Sequence, residues 1–278
     1  MKIEVRGRTV GYEDSGGGGV PLLLLHGFPL DRTVWTAQVL GLAGAARVLA
    51  PDLRGFGESA PAGNSAPGTT TSMDDYAEDV AALLDALGVP AAVVCGLSMG
   101  GYVAMAFHRA FPARLRGMIL VDTRGGPDSP EGRKARDAAG ALGRERGAPA
   151  VAEGMLGKML TSANVRTGAA MGASLLRMMC DQPVVGIVGA LEAIRDRPDS
   201  LPSLARVDVP TLVVCGAEDA LIHPSESKVL RDAIPGARLT LIRGAGHLPN
   251  YERPGEFNRL VEEFLAGIVR QDPAPARR

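Results

Sequence analysis

The chain has 278 residues and a mass of 28.9 kDa. That is near the upper limit for one hydrophobic core, and long enough to fold without disulfides or a structural metal. Lys and Arg total 30 and Asp and Glu 31, a net charge of −1, so neither the basic face of a nucleic-acid binder nor a nucleic-acid partner is expected. With 46% hydrophobic and 22% charged residues, disorder, collagen and coiled coil are excluded for the chain as a whole; the 36 glycines and 20 prolines call for many special backbone turns.

Met1 to Arg6 alternates charged with apolar residues and lacks the continuous apolar stretch of a signal peptide. Cys95, Cys180 and Cys215 are odd in number, far apart and free of any CxxC pair. Cys95 and Cys215 each end a short apolar run, so buried free thiols at those two positions and a cytoplasmic location are the expectation.

Lys2–Val5 and Arg8–Glu13 read as antiparallel strands about Gly7, followed by a flexible Gly16–Gly19 loop. Pro21–Leu25 and Arg47–Pro51 are apolar runs of strand length. Ser72-Met-Asp-Asp75 is a capping box, and Tyr76, Val80, Leu83, Leu84 and Leu87 continue at helical spacing until Gly88 and Pro90. Ala91–Cys95 is the next buried strand, a helix runs from about Met99 to Phe111, and strand Gly117–Val121 follows. Gly88–Phe107 is 20 residues without a formal charge, but a buried strand, turn and helix explains it better than a membrane span. No membrane association is expected.

From Arg124 to Ala205 the apolar β-branched runs cease and helices with Gly and Pro breaks are predicted. The rhythm resumes with strand Thr211–Cys215, a helix near Ser225–Ile234, strand Arg238–Ile242 and helix Pro254–Ile268. Short apolar strands alternating with helices predict an α/β fold, a mainly parallel sheet with helices on both faces.

Gly96-Leu-Ser98-Met-Gly100 matches GxSxG between a predicted strand and a predicted helix, the context a nucleophile elbow requires. A serine at the apex of so tight a turn needs small residues two places before and after it. Its hydroxyl then stands at the carboxyl edge of the sheet, over a helix N-terminus that favours negative charge. In this chain order an acid and then a histidine follow the serine. His247, in Gly244-Ala-Gly-His247 after the Arg238–Ile242 strand, is the candidate base, with His223 the other loop histidine. Asp219, after Thr211–Cys215, is the candidate acid; Glu218 and Asp122 are the competing positions. The acid would fix the histidine tautomer and stabilise imidazolium. The backbone N–H groups of Met99 and of Phe28, in the loop after Pro21–Leu25, are the candidate oxyanion donors; Pro29 has none to offer. His26 reads as a structural loop residue. Phe28, Trp35 and Met99 are the expected border of an apolar substrate pocket.

Together His26-Gly-Phe-Pro29, Asp52-Leu-Arg-Gly-Phe-Gly-Glu-Ser59, Gly96-Leu-Ser-Met-Gly-Gly101, Asp219 and Gly246-His247 resemble the motifs of the α/β-hydrolase superfamily over nearly the whole chain. Ser98 separates it from members whose elbow carries aspartate, and the absence of an HGGG run separates it from lipase-type members. The elbow and Arg197-Pro-Asp-Ser200 resemble small bacterial carboxylesterases, 3-oxoadipate enol-lactonase-like proteins and cofactor-free haloperoxidases.

The resemblance implies an α/β-hydrolase fold with an eight-stranded sheet. Its core would lie in two parts, 1–123 and 206–270, with a helical cap insertion at 124–205; the residues Gln271–Arg278 themselves read as a disordered tail, 271–278. It implies a serine hydrolase that cleaves a small ester or lactone through an acyl-enzyme on Ser98 and needs no cofactor. Perhydrolysis and C–C bond hydrolysis are alternatives within the same geometry, and a ligand receptor reusing the fold is the non-enzymatic one. Gly55-Phe-Gly57-Glu-Ser-Ala60 superficially reads as a dinucleotide fingerprint, but Pro61, Gly63, Pro67 and Gly68 predict a loop where such a site needs a helix. No histidine pair has metal spacing, so no metal is expected. The methionines at 155, 159, 171, 178 and 179 read as packing, or as a soft pocket roof. Arg133, Lys134, Arg136, Arg144 and Arg146 read as a solvated face, with carboxylate binding the alternative for one of them.

Overall fold

Eight runs among the described residues become strands, and alternation along them explains why so many are apolar throughout. In the computed structural model, which describes residues 1–59 and 71–271, Leu22 and Leu24 face one core while Leu23 and Leu25 face another. A strand covered on both faces has no polar side to present.

The strands are β1 (Lys2–Val5), β2 (Arg8–Asp14), β3 (Val20–Leu25), β4 (Ala46–Pro51), β5 (Ala92–Leu97), β6 (Leu115–Val121), β7 (Thr211–Gly216) and β8 (Arg238–Ile242). They form one sheet in the order β1-β2-β4-β3-β5-β6-β7-β8. β1 pairs with β2 and β2 with β4 antiparallel, and β3 to β8 are parallel. The expected mainly parallel eight-stranded sheet is therefore present. Its six parallel strands deliver their following loops to one edge, where open α/β sheets bind ligands.

The helices of the first part are α1 (Thr36–Gly41), α2 (Met73–Ala86) and α3 (Met99–Ala110). Ser72 caps α2, accepting from Asp75 N–H while the Asp75 carboxylate accepts from Ser72 N–H, the predicted capping box. α2 and α3 pack Tyr76, Val80, Leu84, Val103 and Phe107 into the core on one face of the sheet. Gly88–Phe107 is consumed by β5, its turn and most of α3, as predicted.

Between β6 and β7 lie α4 (Pro130–Met159), α5 (Ser162–Thr167), α6 (Ala169–Cys180), α7 (Val184–Asp196) and α8 (Leu201–Leu204), with no strand. Gly147, at φ 79°, breaks α4 into two helical pieces. Ser129 and Thr161 cap α4 and α5 through Gly132 and Asn164 N–H. The last part adds α9 (Pro224–Ala233), α10 (Pro249–Glu252) and α11 (Pro254–Gln271). α11 buries Phe257, Val261, Phe264, Leu265 and Ile268 in the core on the second face, the helical stripe expected of it. Residues 272–278 of the expected tail, and the loop predicted around Pro61 to Gly68, lie outside the described residues. Among the described residues no single helix is long and apolar enough to cross a membrane.

Candidate active site

β5 ends at Leu97 and α3 begins at Met99, so Ser98 alone makes the turn. It sits at φ 53°, ψ −111°, a left-handed conformation that costs a non-glycine residue about 1–3 kcal/mol. The glycines of the motif make the turn possible. A Cβ on Gly100 would lie 2.1 Å from the Leu25 carbonyl oxygen, and one on Gly96 would lie 2.2 Å from that of Gly100. Neighbouring β6 holds the strained residue in place. Ser98 N–H donates to Val121 O and the Thr123 hydroxyl donates to Ser98 O, both at 2.8 Å. The Ser98 hydroxyl does not cap α3. Ser98 instead lines a cavity.

Phe28 and Met99 line the same cavity. The loop carrying Phe28 runs against the elbow, since a Cβ on Gly27 would lie 3.3 Å from Ser98 Cβ. His26, fully buried, bonds Gly27 O through Nδ1 and accepts Leu53 N–H at Nε2, each at 2.9 Å. Burial holds its pKa below the ordinary range, and with both nitrogens engaged it is the structural residue the sequence suggested. The Asp52–Ser59 turn is likewise internally bonded: Glu58 N–H donates to the Asp52 carboxylate and the Ser59 hydroxyl to Asp52 O, each at 2.8 Å.

Asp219 follows β7 and His247 lies in the loop after β8. The two are joined by a 2.8 Å hydrogen bond from His247 Nδ1 to Asp219 Oδ2. Asp219 Oδ1 accepts the N–H groups of Leu221 and Ile222. Burial pushes the Asp219 carboxyl up, but the His247 charge and hydrogen bond and the Ile222 N–H outweigh it and hold the group below the usual range. His247 Nε2 is buried without a partner, leaving a proton-accepting nitrogen uncommitted. The two loops touch through glycine, because a Cβ on Gly216 would lie 1.8 Å from Gly246 O. Glu252 of α10 braces the histidine loop. Its carboxylate accepts Gly246 N–H at 2.6 Å and, from the helical insertion, Thr161 N–H at 2.9 Å.

Asp122 occupies the space between the elbow and this pair. It directly follows β6 at φ 42° and is fully buried. Oδ1 accepts Gly216 N–H at 2.9 Å. One carboxyl oxygen of Asp122, one of Asp219 and a ring nitrogen of His247 lie within 4.8 Å of one another. Burial first, and the Asp219 charge second, push the Asp122 carboxyl well above the usual carboxylate range, the direction that favours its protonated form. Three donor atoms so grouped are the composition of a metal site. Here, however, the Asp122 carboxyl is shifted toward its protonated form and Asp219 is already bonded to His247 and two N–H groups, which suits a proton network better than a cation.

Two competing positions separate cleanly from Asp219 and His247. Glu218 is exposed, and His223 caps α9 by accepting Ser225 N–H. Trp35 corrects the expected pocket. It is fully buried in the core on the opposite face of the sheet from Phe28 and Met99, its ring 6.0 Å from that of Phe257. A large apolar side chain just after the Phe28 loop suggested a pocket wall, but the short helical turn Arg32–Trp35 carries it under α11. Other walls take its place. Tyr102 comes from α3, one turn beyond the elbow; Leu221 and Ile222 come from the loop after Asp219; Met155 and Ile194 come from α4 and α7, with Arg124 and Arg136. Leu221 and Ile222 were findable from their place next to the acid. Met155 is the one insertion methionine that reaches the cavity, whereas Met159 and Met179 are core.

A family model described as the alpha/beta hydrolase fold matches residues 20–254, and the chain belongs to that family. An esterase from Thermogutta terrifontis, solved with malate bound, superposes with a TM-score of 0.91 at 37% identity, covering 96% of this chain and 99% of the other. The 3-oxoadipate enol-lactonase 2 of Acinetobacter baylyi is 27% identical over 258 residues, 92% of this chain and 93% of that one. A 2-hydroxy-6-oxononadienedioate/2-hydroxy-6-oxononatrienedioate hydrolase from Burkholderia vietnamiensis is 31% identical over 268 residues, covering 92% and 90%.

Proposed function

We propose that this chain hydrolyses small carboxylic esters or lactones through an acyl-enzyme on Ser98, with His247 as base and Asp219 as its partner. The observation that carries the reading is the buried Asp219–His247 pair with Nε2 uncommitted, on the same sheet edge as a strained serine that lines a cavity. His247 Nε2 takes the Ser98 proton as the oxygen attacks the acyl carbon. The resulting oxyanion lies against the backbone N–H groups of Phe28 and Met99, at the start of α3 where the helix dipole favours negative charge. The alcohol, or the ring hydroxyl of a lactone, leaves with the proton from His247. Water then adds with the same base and the acid is released. Asp219 stabilises the imidazolium without taking the proton. The helical insertion 124–205 serves as a cap, because Arg136, Met155 and Ile194 bring it to the cavity. Relatives named esterase and enol-lactonase support the bond class. The relative named for a dienedioate keeps C–C bond hydrolysis as the second reading, and product analysis separates the two.

Ser98→Ala is expected to lower kcat on p-nitrophenyl butyrate by three or more orders of magnitude and to abolish labelling by a fluorophosphonate. Turnover by the variant at the parent rate would overturn the mechanism.

A further inference from the structure

The cavity that opens onto Ser98 is electrically one-sided. Arg124 and Arg136 line it, and no carboxylate does among the described residues. Behind them one acid is shared three ways. Asp128 Oδ1 accepts from Arg124 and, at 2.8 Å, from Arg197, while Oδ2 accepts from Arg136 at 3.1 Å. Its side chain is fully buried. Burial raises its pKa, but the arginines outweigh that and keep it ionised. One carboxylate against three guanidinium groups leaves two positive charges without an anion in this cluster.

The three arginines are not equivalent. Arg197 is wholly enclosed. It donates to the carbonyls of Ile194 and Gly126 and lies 4.3 Å over the Tyr102 ring, so its role is structural. Arg124 and Arg136 each keep 29% of the side chain exposed, and these are the two that line the cavity. A cluster serving stability alone has no reason to place its surplus charge on the wall of a cavity that also holds a candidate nucleophile. A planar guanidinium pair matches a carboxylate in both charge and geometry.

Resting on the ester-cleaving reading above, we infer that the substrate carries a free carboxylate a few bonds from the scissile carbonyl, held by Arg124 and Arg136 while Ser98 attacks. The arginines set orientation and selectivity; the reacting atoms meet only Ser98, His247 and the oxyanion donors. Asp128 keeps both guanidinium groups aimed.

The test compares two esters of equal chain length, mono(4-nitrophenyl) glutarate and 4-nitrophenyl pentanoate, at low ionic strength. The parent is expected to favour the half-ester at least tenfold in kcat/KM, mainly through KM, with the preference shrinking as salt is added. Arg136→Gln is expected to reduce that ratio about tenfold, Arg136→Lys to restore part of it, and free glutarate to compete with the pentanoate ester in the parent but not in Arg136→Gln. Thermal midpoints guard against a variant that has simply lost its fold; Arg124→Gln, next to the buried Asp128, is read only if its midpoint is kept. A parent ratio of one or less, or equal losses on both esters in Arg136→Gln, would overturn the inference and leave the esterase reading standing. If neither ester is cleaved and Ser98 resists the fluorophosphonate, the esterase reading itself has failed.

Discussion

The cavity has two walls built on different principles. Behind the Phe28, Ser98, Met99, Tyr102, Leu221 and Ile222 lining, the sheet wall rests on tight backbone. Ser98 is strained, Gly96 and Gly100 admit no side chain, and the Asp219 and His247 loops meet at Gly216 and Gly246. The helical wall is made by long side chains, namely Arg136, Met155 and Ile194 from α4 and α7. A wall made of backbone cannot change without losing the turn, so it suits chemistry, which tolerates little displacement. A wall made of arginine and methionine side chains can be exchanged residue by residue, which suits substrate choice.

Three substitutions probe that division. Asp219→Asn strikes the sheet wall and is expected to lower kcat by about 10³–10⁴ with KM little changed; a loss below tenfold would show that His247 does not depend on it. Met155→Ala strikes the helical wall and is expected to alter kcat/KM by no more than about tenfold, with the sign depending on acyl length, and to leave fluorophosphonate labelling of Ser98 intact. A loss comparable to that of Asp219→Asn would erase the distinction between the walls. Asp122→Asn is the mildest. Asp122 binds its proton more tightly folded than unfolded, so its contribution to stability is complete below about pH 3.9 and is lost as pH rises toward its raised folded pKa. The amide cannot titrate. Stability of the variant relative to the parent should therefore grow as pH rises above about 4, by up to about 1.4 kcal/mol per pH unit, until Asp122 ionises in the parent. Denaturant midpoints from pH 4 to 9 measure this, and a difference that stays flat would mean the carboxyl is not held neutral.

The same division decides what the sequence could reveal. The elbow, Asp219 and His247 are legible because tight turns demand particular residue types at fixed spacing, and that demand is written locally. The sheet was legible for a related reason, since strands buried on both faces cannot hide their apolarity. Asp122 stood only as a competing acid. What raises its pKa is burial first and the nearness of Asp219 across the β6–β7 pairing second, and a single strand end announces neither. Arg136 was one of five cations predicted on a solvated face. Its partner Asp128 precedes α4, and only the packing of α4 beside Arg124 and Arg197 selects it from its neighbours. Trp35 failed for the opposite reason, because proximity to the Phe28 loop in sequence is not proximity across the sheet.

One feature of the elbow reaches beyond catalysis. Helices α2, α4 and α5 begin on Ser72, Ser129 and Thr161, whose side chains each satisfy an exposed amide of the first turn. α3 begins on Ser98, whose backbone turns the hydroxyl away, and it has no such cap. The molecule thus forgoes about 1 kcal/mol at this helix end. Under the proposed mechanism, an anionic intermediate or a mimic of it completes the helix in the cap's place. Ligand occupancy and the thermal resistance of α3 then become a single equilibrium, in which the tightest mimic protects the fold most.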